Sequence, residues 1–214
     1  MDTTFLLRGL VIGFSIAAPV GPIAVLCMRR TLAEGRLAGL VSGLGAATAD
    51  AIYGGIAGLG LTLISNFLIS QQAWLCLAGG LFLCHLGIKI FLENPSNNAT
   101  LTSTKGIGIV GDYVSTFFLT LTNPMTILSF AAIFAGFGLA SINGNFLSAG
   151  SLILGVFAGS AFWWFILSCS VGIFREKLNL RELQWINRVS GIIITGFGLF
   201  SLLRIMGFVR IMPS

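Results

Sequence analysis

Six long apolar runs dominate this chain and restrict it to a membrane fold. Each approaches or exceeds the roughly 20 predominantly apolar residues that a helix needs to cross a bilayer. The chain of 214 residues is 56% hydrophobic and only 9% charged, whereas a soluble domain carries about 25% charged residues. We therefore predict an all-α membrane protein with six transmembrane helices, over Phe5–Cys27, Ala38–Ser65, Ala73–Phe91, Ile109–Leu139, Leu147–Phe174 and Val189–Phe208.

Other fold classes fit these runs poorly. Outer-membrane barrels need segments of about ten residues with alternating hydrophobicity, and these runs are apolar throughout. Soluble nucleic-acid binders are excluded by the low charge, and the formal net charge of +5 is first explained by loop charges that orient the helices. The chain starts with Met1-Asp2 and lacks a basic region before its first run, so we expect that run to be a permanent helix rather than a cleaved signal.

Basic residues are distributed unequally between the two predicted sides. Nine follow helices one, three and five, and three lie on the opposite side. The positive-inside rule then places the first group in the cytoplasm and both termini outside. The nine are Arg29, Arg30, Arg36, Lys89, Lys105, Arg175, Lys177, Arg181 and Arg188, and the three are Arg8, Arg204 and Arg210.

The six helices divide into two halves of three. We assign residues 1–93 to the first half, 94–107 to a polar cytoplasmic loop and 108–214 to the second half of a single membrane domain. Shifting the sequence by 102 residues places Gly21-Pro22 on Asn123-Pro124. Because each half has an odd number of spans, the second half must be inverted relative to the first, as in many secondary transporters.

Prolines interrupt the first helix of each half. Helix one contains Pro19, Gly21 and Pro22, and helix four contains Asn123-Pro124. Proline removes a backbone donor and clashes with the carbonyl four residues earlier, which frees the carbonyls of Ser15, Ala18 and Thr120. Free carbonyls at membrane depth are tolerated only inside protein or beside a water-filled cavity. We therefore predict broken helices at a cavity wall.

Helix four also carries a polar face. Asp112, Thr116, Thr120 and Asn123 are spaced by four, four and three residues, so they lie on one side of a helix. Such a face must contact protein or water. Hydrogen bonding between helices and the lining of a substrate path are both open interpretations.

Asp50 is the clearest ionisable candidate, because it lies about 18 Å into helix two at a rise of 1.5 Å per residue. A charge at the bilayer centre costs at least about 2.5 to 3.5 kcal/mol, and intramembrane ionisable residues are functional by default. Proton transfer and attraction of a cationic substrate are its natural roles. His85 and Asp112 are weaker candidates for a proton relay.

Small residues and cysteines have simpler interpretations. Gly39 and Gly43 belong to a row of small residues that permits close helix packing, and we assign Gly45 the same role. The four cysteines, Cys27, Cys76, Cys84 and Cys169, lie within or at the ends of apolar runs and form no C-x-x-C motif. We expect them to behave as small apolar groups.

Several of these motifs occur together and in an order that resembles a known family. Pro19-Val20-Gly21-Pro22, Gly35-Arg36-Leu37-Ala38-Gly39-Leu40, Gly43-Leu44-Gly45-Ala46-Ala47 with Asp50, and Asn123-Pro124 resemble the lysine exporter (LysE) superfamily of amino-acid translocators. The resemblance implies six helices in two inverted halves and ion-driven export of amino acids or related small metabolites. The matching residues are Pro19, Gly21, Pro22, Gly39, Gly43, Gly45, Asp50, Asn123 and Pro124. Many members have Pro-Gly-Pro where this chain has Pro-Val-Gly-Pro.

The leading functional hypothesis is a proton-linked secondary exporter in the cytoplasmic membrane. Its expected pathway residues are Pro19, Gly21, Pro22, Asp50, Thr116, Thr120, Asn123 and Pro124. The alternatives are a transmembrane thiol relay, and a channel or structural membrane subunit. No phosphate-binding loop G-x-x-x-x-G-K-[ST] is present, and we expect no enzymatic activity, cofactor or metal. The expected partners are a small amino-acid substrate and membrane lipid but no nucleic acid, and a homodimer stays open.

Overall fold

The computed structural model describes residues 2–58, 70–93, 105–137, 146–175 and 178–209. Every regular element in these ranges is an α-helix, which confirms the all-α prediction. There are eight of them: α1 (Thr3–Ala17), α2 (Pro22–Glu34), α3 (Arg36–Gly58), α4 (Gln72–Leu92), α5 (Lys105–Thr122), α6 (Pro124–Phe137), α7 (Phe146–Gly172) and α8 (Leu180–Val209).

Three to five membrane spans are identifiable by length and composition in the described part of the chain. Three helices qualify alone, over Ala73–Leu92, Phe146–Gly172 and Leu180–Leu203. Two bent pairs qualify if each pair forms one span: α1 with α2, bent by 81°, and α5 with α6, bent by 59°. Helix α3 is absent from this set because it is rich in glycine and alanine and contains Asp50, and residues 59–69 of the predicted second span lie outside the described residues. Six spans therefore stay a prediction.

The helix boundaries correct two of the sequence predictions. Helix α8 begins at Leu180 rather than at Val189, because a reciprocal cap stabilises a polar first turn. The Glu182 N–H donates to Asn179 Oδ1 at 3.0 Å, and the Asn179 N–H donates to Glu182 Oε2 at 2.8 Å. Helix α5 begins at Lys105, inside the predicted loop 94–107, of which residues 94–104 lie outside the described residues.

Glycines allow two helix pairs to pack at close range. Along α1 and α7, a side chain at Gly9 or Gly13 would collide with the backbone of α7, and one at Gly155 or Gly159 would collide with the backbone of α1. Helices α4 and α8 approach each other in the same way. Small residues at helix contacts are the usual means by which membrane helices gain van der Waals contact, since lipid is as apolar as their side chains.

Helix α3 of the first half packs between two helices of the second half, α5 and α7. Each of the three glycines assigned to packing faces a neighbouring helix. Gly39 faces Thr31 and Ser168, Gly43 faces Trp164, and Gly45 faces the backbone of α5 at Tyr113. This close contact on both sides buries the centre of α3, including Asp50.

Two of the basic residues assigned to cytoplasmic loops lie inside the protein instead. Arg29 and Arg30 belong to α2, and each is only 6% exposed. Even without these two residues, seven basic residues remain on the predicted cytoplasmic side against three on the opposite side. The orientation predicted by the positive-inside rule is therefore unchanged.

This orientation predicts the location of two reporter fusions. A reporter inserted in the 94–104 loop should be active in the cytoplasm, and one fused after Ser214 should be active outside. Paired alkaline phosphatase and green fluorescent protein fusions measure each location. The reverse result at both points would reject the orientation, and termini on different sides would mean that one predicted span does not cross.

Candidate functional site

The first helix break leaves backbone groups unpaired beside a cavity. Helix α1 closes with the Ala18 N–H donating to the Phe14 carbonyl at 3.0 Å. In the described part of the chain, no backbone N–H donates to the carbonyls of Ser15 and Ala18, as the prolines predict. On the other side of the break, α2 begins at Pro22 after Gly21, which has no side chain to cap the helix.

The second break satisfies its own backbone. Asn123 Oδ1 accepts from the Met125 N–H at 3.1 Å and so caps α6. The Thr120 carbonyl, expected to be free, accepts from the Asn123 N–H at 3.2 Å. The Leu121 carbonyl accepts from the Tyr53 hydroxyl at 2.5 Å. The expectation for Thr120 is therefore wrong, because the chain tightens by one residue before Pro124.

A cavity of about 370 Å³ lies between the two breaks, within the usual range of small-molecule sites of about 300 to 1,000 Å³. Both breaks supply part of its wall, and α4 and α8 supply the rest. The lining residues are Ile16, Pro19, Val20, Gly21, Pro22, Ile23, Gly79, Leu83, Leu119, Thr122, Asn123, Met125, Thr126, Ser129, Phe197, Phe200 and Ser201.

A second cavity of about 60 Å³ connects the breaks to Asp50. It shares seven lining residues with the larger cavity: Ile16, Pro19, Gly21, Pro22, Ile23, Asn123 and Thr126. Its remaining lining residues come from α1, α2, α3, α5 and α7: Ala17, Ala24, Ala46, Asp50, Thr120 and Trp164. The fold thus brings the predicted carboxylate and both predicted breaks to one place.

Asp50 is held in the contact between α3 and α7. Its side chain is 3% exposed, and the Ser160 hydroxyl donates to Oδ2 at 2.7 Å. Trp164 Nε1 in turn donates to Ser160 Oγ at 3.2 Å. Among the described residues, no cationic group pairs with Asp50. The carboxyl can therefore be stable when it is neutral, or when a cation occupies the small cavity.

Arg30 forms the most extensive polar cluster in the described structure. Its Nε lies 3.0 Å from Asp112 Oδ1, and Nη1 donates to the hydroxyls of Ser42 and Thr116 and to the Asp112 carbonyl. Nη2 donates to the Ser115 hydroxyl at 2.8 Å. This Arg30 cluster joins α2 to α3 and α5.

Arg29 forms a second cluster one residue away. Its guanidinium contacts Glu34 at 2.8 Å and Glu93 at 2.5 Å, and its Nε donates to Asn187 Oδ1 at 3.0 Å. This Arg29 cluster joins α2 to the C-terminal end of α4 and to α8. Neither cluster can be predicted from the sequence pattern, because an arginine pair at the end of an apolar run looks the same as the start of a basic loop.

Other predicted site residues lie away from the two cavities. Asp112 and Thr116 belong to the Arg30 cluster, and His85 is exposed on α4. None of these three lines either cavity. The four cysteines form no disulfide in the described structure, and Cys27 and Cys76 are buried as expected.

The Arg30–Asp112 pair gives a stability prediction. Removing one partner of a buried ion pair costs about 3 to 5 kcal/mol, because the other charge is left uncompensated. Arg30→Ala and Asp112→Ala should each destabilise the protein by about that amount, and the double variant Arg30→Met/Asp112→Leu should recover much of the loss. Thermal unfolding in detergent measures the change.

The exposed Arg188→Ala on α8 is the control for that prediction. A surface substitution usually changes stability by less than about 0.5 kcal/mol. If Arg30→Ala melts at the same temperature as Arg188→Ala, the buried pair does not stabilise the fold.

Known proteins are similar to this chain over most of its length. The family model described as "LysE type translocator" matches residues 14–204. A Bacillus subtilis (strain 168) protein named "Putative amino acid efflux protein YcgF" is 26% identical over 197 residues, which cover 89% of this chain and 91% of that protein. "Uncharacterized membrane protein YrhP" of the same organism is 24% identical over 189 residues, covering 84% and 89%. No solved structure matches the chain significantly.

Proposed function

The chain belongs to the LysE type translocator family, and from this premise we propose that it is a secondary active exporter of amino acids or related small metabolites. The observation that carries the proposal is the cavity between two broken helices, next to a buried carboxylate. Broken helices around a central site are the usual architecture of alternating access. We place the protein in the cytoplasmic (inner) membrane as a multi-pass protein.

The proposal includes six spans in two inverted repeats, and the helix contacts support it. Exchanging the halves maps α1 and α2 onto α5 and α6, α3 onto α7, and α4 onto α8. The contact of α1 with α7 then corresponds to the contact of α5 with α3, and both pairs pack extensively. Two other large contacts, α3 with α7 and α4 with α8, each join a helix to its own counterpart, so the exchange leaves them unchanged.

Alternating access also requires one closed side. The Arg29 and Arg30 clusters hold α2 against α3, α4, α5 and α8 on the predicted cytoplasmic side of the cavities. We assign them the closed cytoplasmic gate. Opening the site inward then requires these ion pairs to separate or to move as a unit with α2.

We propose that proton antiport is coupled at Asp50. The carboxyl is buried without a cationic partner in the described structure, so it is most stable with a bound proton or beside a substrate ammonium group. A substrate arriving from the cytoplasm displaces the proton, and a proton returning from outside displaces the substrate. The two occupants exclude each other, and that exclusion couples their fluxes.

The thiol relay and the channel or structural subunit make different predictions from the exporter. A relay needs reactive thiols that pair as disulfides, whereas the described cysteines form no disulfide and two of them are buried. A channel passes substrate at a high rate without concentrating it, and a structural subunit moves none. Flux into proteoliposomes with an imposed pH gradient separates these functions.

The two helix breaks generate the next prediction. If they position the substrate, Pro22→Ala and Pro124→Ala should reduce transport by about tenfold or more while most of the protein still inserts. Restoring a backbone donor allows the helix to continue across the break. Asn123→Ala should act similarly, because it removes the cap of α6. Transport rates are normalised to the folded protein recovered by size-exclusion chromatography. Equal losses of folded protein and of transport would mean that the prolines serve packing alone.

The substitution Asp50→Asn tests whether this carboxyl couples transport to protons. The amide keeps the size of the carboxyl and can still pair with Ser160, but it cannot bind and release a proton. The variant should insert and fold, yet lose accumulation of substrate driven by a pH gradient. Substrate uptake at several imposed pH gradients measures this.

His85→Gln is the comparison variant, since His85 is exposed and lines neither cavity. It should retain coupled transport. If Asp50→Asn still concentrates substrate with the pH dependence of the unmodified protein, Asp50 is structural, and Asp112 and His85 become the groups to examine for coupling.

A further inference from the structure

We infer that this exporter selects free α-amino acids with uncharged, apolar side chains, with the head group in the small cavity and the side chain in the large one. The inference rests on the proposed function and adds the substrate class. It follows from what the two adjoining cavities offer: one contains a carboxylate and unpaired backbone donors, and the other has mainly apolar walls.

The small cavity fits an ammonium group at Asp50. Ser160 is the only hydrogen-bond partner of Asp50 in the described structure, and it bonds to Oδ2. Oδ1 is left to accept from a ligand. An ammonium group supplies both the positive charge and the donors that this carboxylate lacks, and charge-assisted hydrogen bonds of this type are among the strongest in proteins.

The same cavity fits a carboxylate at the start of α2. Ile23 and Ala24 line it, and their backbone N–H groups have no acceptor among the described residues, because Gly21 provides no cap. Helix α6 differs, since Asn123 caps it internally. An anion beside the first turn of α2 would accept from these donors and be stabilised by the helix dipole. Asp50 and the first turn of α2 thus provide opposite charges at one small cavity, as a zwitterion requires.

The large cavity determines the side chain. Leu83, Leu119, Met125, Phe197 and Phe200 form much of its wall, and its polar lining consists of uncharged hydroxyl and amide groups. No ionisable side chain of the described residues lines it. A lysine, arginine or glutamate side chain would therefore be desolvated without a partner, which is costly, whereas a branched aliphatic, methionine or aromatic side chain gains apolar contact.

Competition for counterflow of radiolabelled leucine in proteoliposomes tests the inference. Isoleucine, methionine and phenylalanine should compete about tenfold or more better than lysine, arginine or glutamate. Leucinamide, which lacks the carboxylate, and 4-methylpentanoate, which lacks the ammonium group, should compete as poorly as the charged amino acids. Lysine or glutamate competing as well as leucine would overturn the side-chain assignment. Leucinamide and 4-methylpentanoate competing as well as leucine would overturn the head-group assignment.

A substitution in the large cavity gives a second readout. Ser129→Asp places a carboxylate in the wall and should improve lysine competition by about tenfold relative to leucine. Ser129→Asn introduces a side chain of the same size as aspartate but without its charge. It should leave the ratio of lysine competition to leucine competition unchanged. If both variants shift the ratio equally, or neither does, the cavity does not hold the substrate side chain. If the wild-type protein moves charged amino acids but not leucine, the inferred substrate class is refuted while the proposed function stands. A protein that moves neither amino acids nor related small metabolites would refute the proposed function.

Discussion

Backbone N–H and C=O groups surrounded by lipid need hydrogen-bond partners within the protein. The structure depends on where the chain supplies those partners. Most of the described chain meets the requirement with helices. The second break meets it with bonds to Asn123 and Tyr53. The first break does not: it leaves carbonyls on one side and N–H groups on the other without backbone partners. Such a break is stable only beside a cavity that admits water or a ligand, and the two cavities lie there.

The same constraint explains why charge is concentrated at a few buried points. Arg30 is stable inside the protein because Asp112 and four further acceptor groups surround its guanidinium. Asp50 has only Ser160 and a small cavity. A buried group with full compensation stabilises one arrangement of helices, while a group with partial compensation is available for a ligand. The contrast separates the proposed gate from the proposed site, although both contain an intramembrane aspartate.

Close packing at glycines joins the helices that carry the proposed site and its surroundings. Helix α3 carries Asp50 and joins the first half of the chain to the second, because Gly43 faces α7 and Gly45 faces α5. Helix α1, which ends at the first break, contacts α7 backbone to backbone, and α7 carries Ser160. In the proposed exporter, the half-helix α2 would move against the closely packed pair of α1 and α7. Transporters of this type commonly alternate by rocking or gating one such body against another.

The sequence by itself determined the helical class and the positions of the two breaks, and it pointed to Asp50 as the candidate residue for proton coupling. These features depend on local chemistry: proline cannot continue a helix, and a carboxyl in an apolar run must be protected wherever the run is placed. Only the tertiary structure decided which polar groups meet. Thr116 and Asp112 share a predicted face with Thr120, yet they bond to Arg30, while Thr120 lines the small cavity. The spacing of residues along one helix defines a face but does not say which helix packs against that face. Most partners of Arg29 and Arg30 come from helices distant in sequence: Glu93, Asn187, Asp112, Ser115 and Thr116.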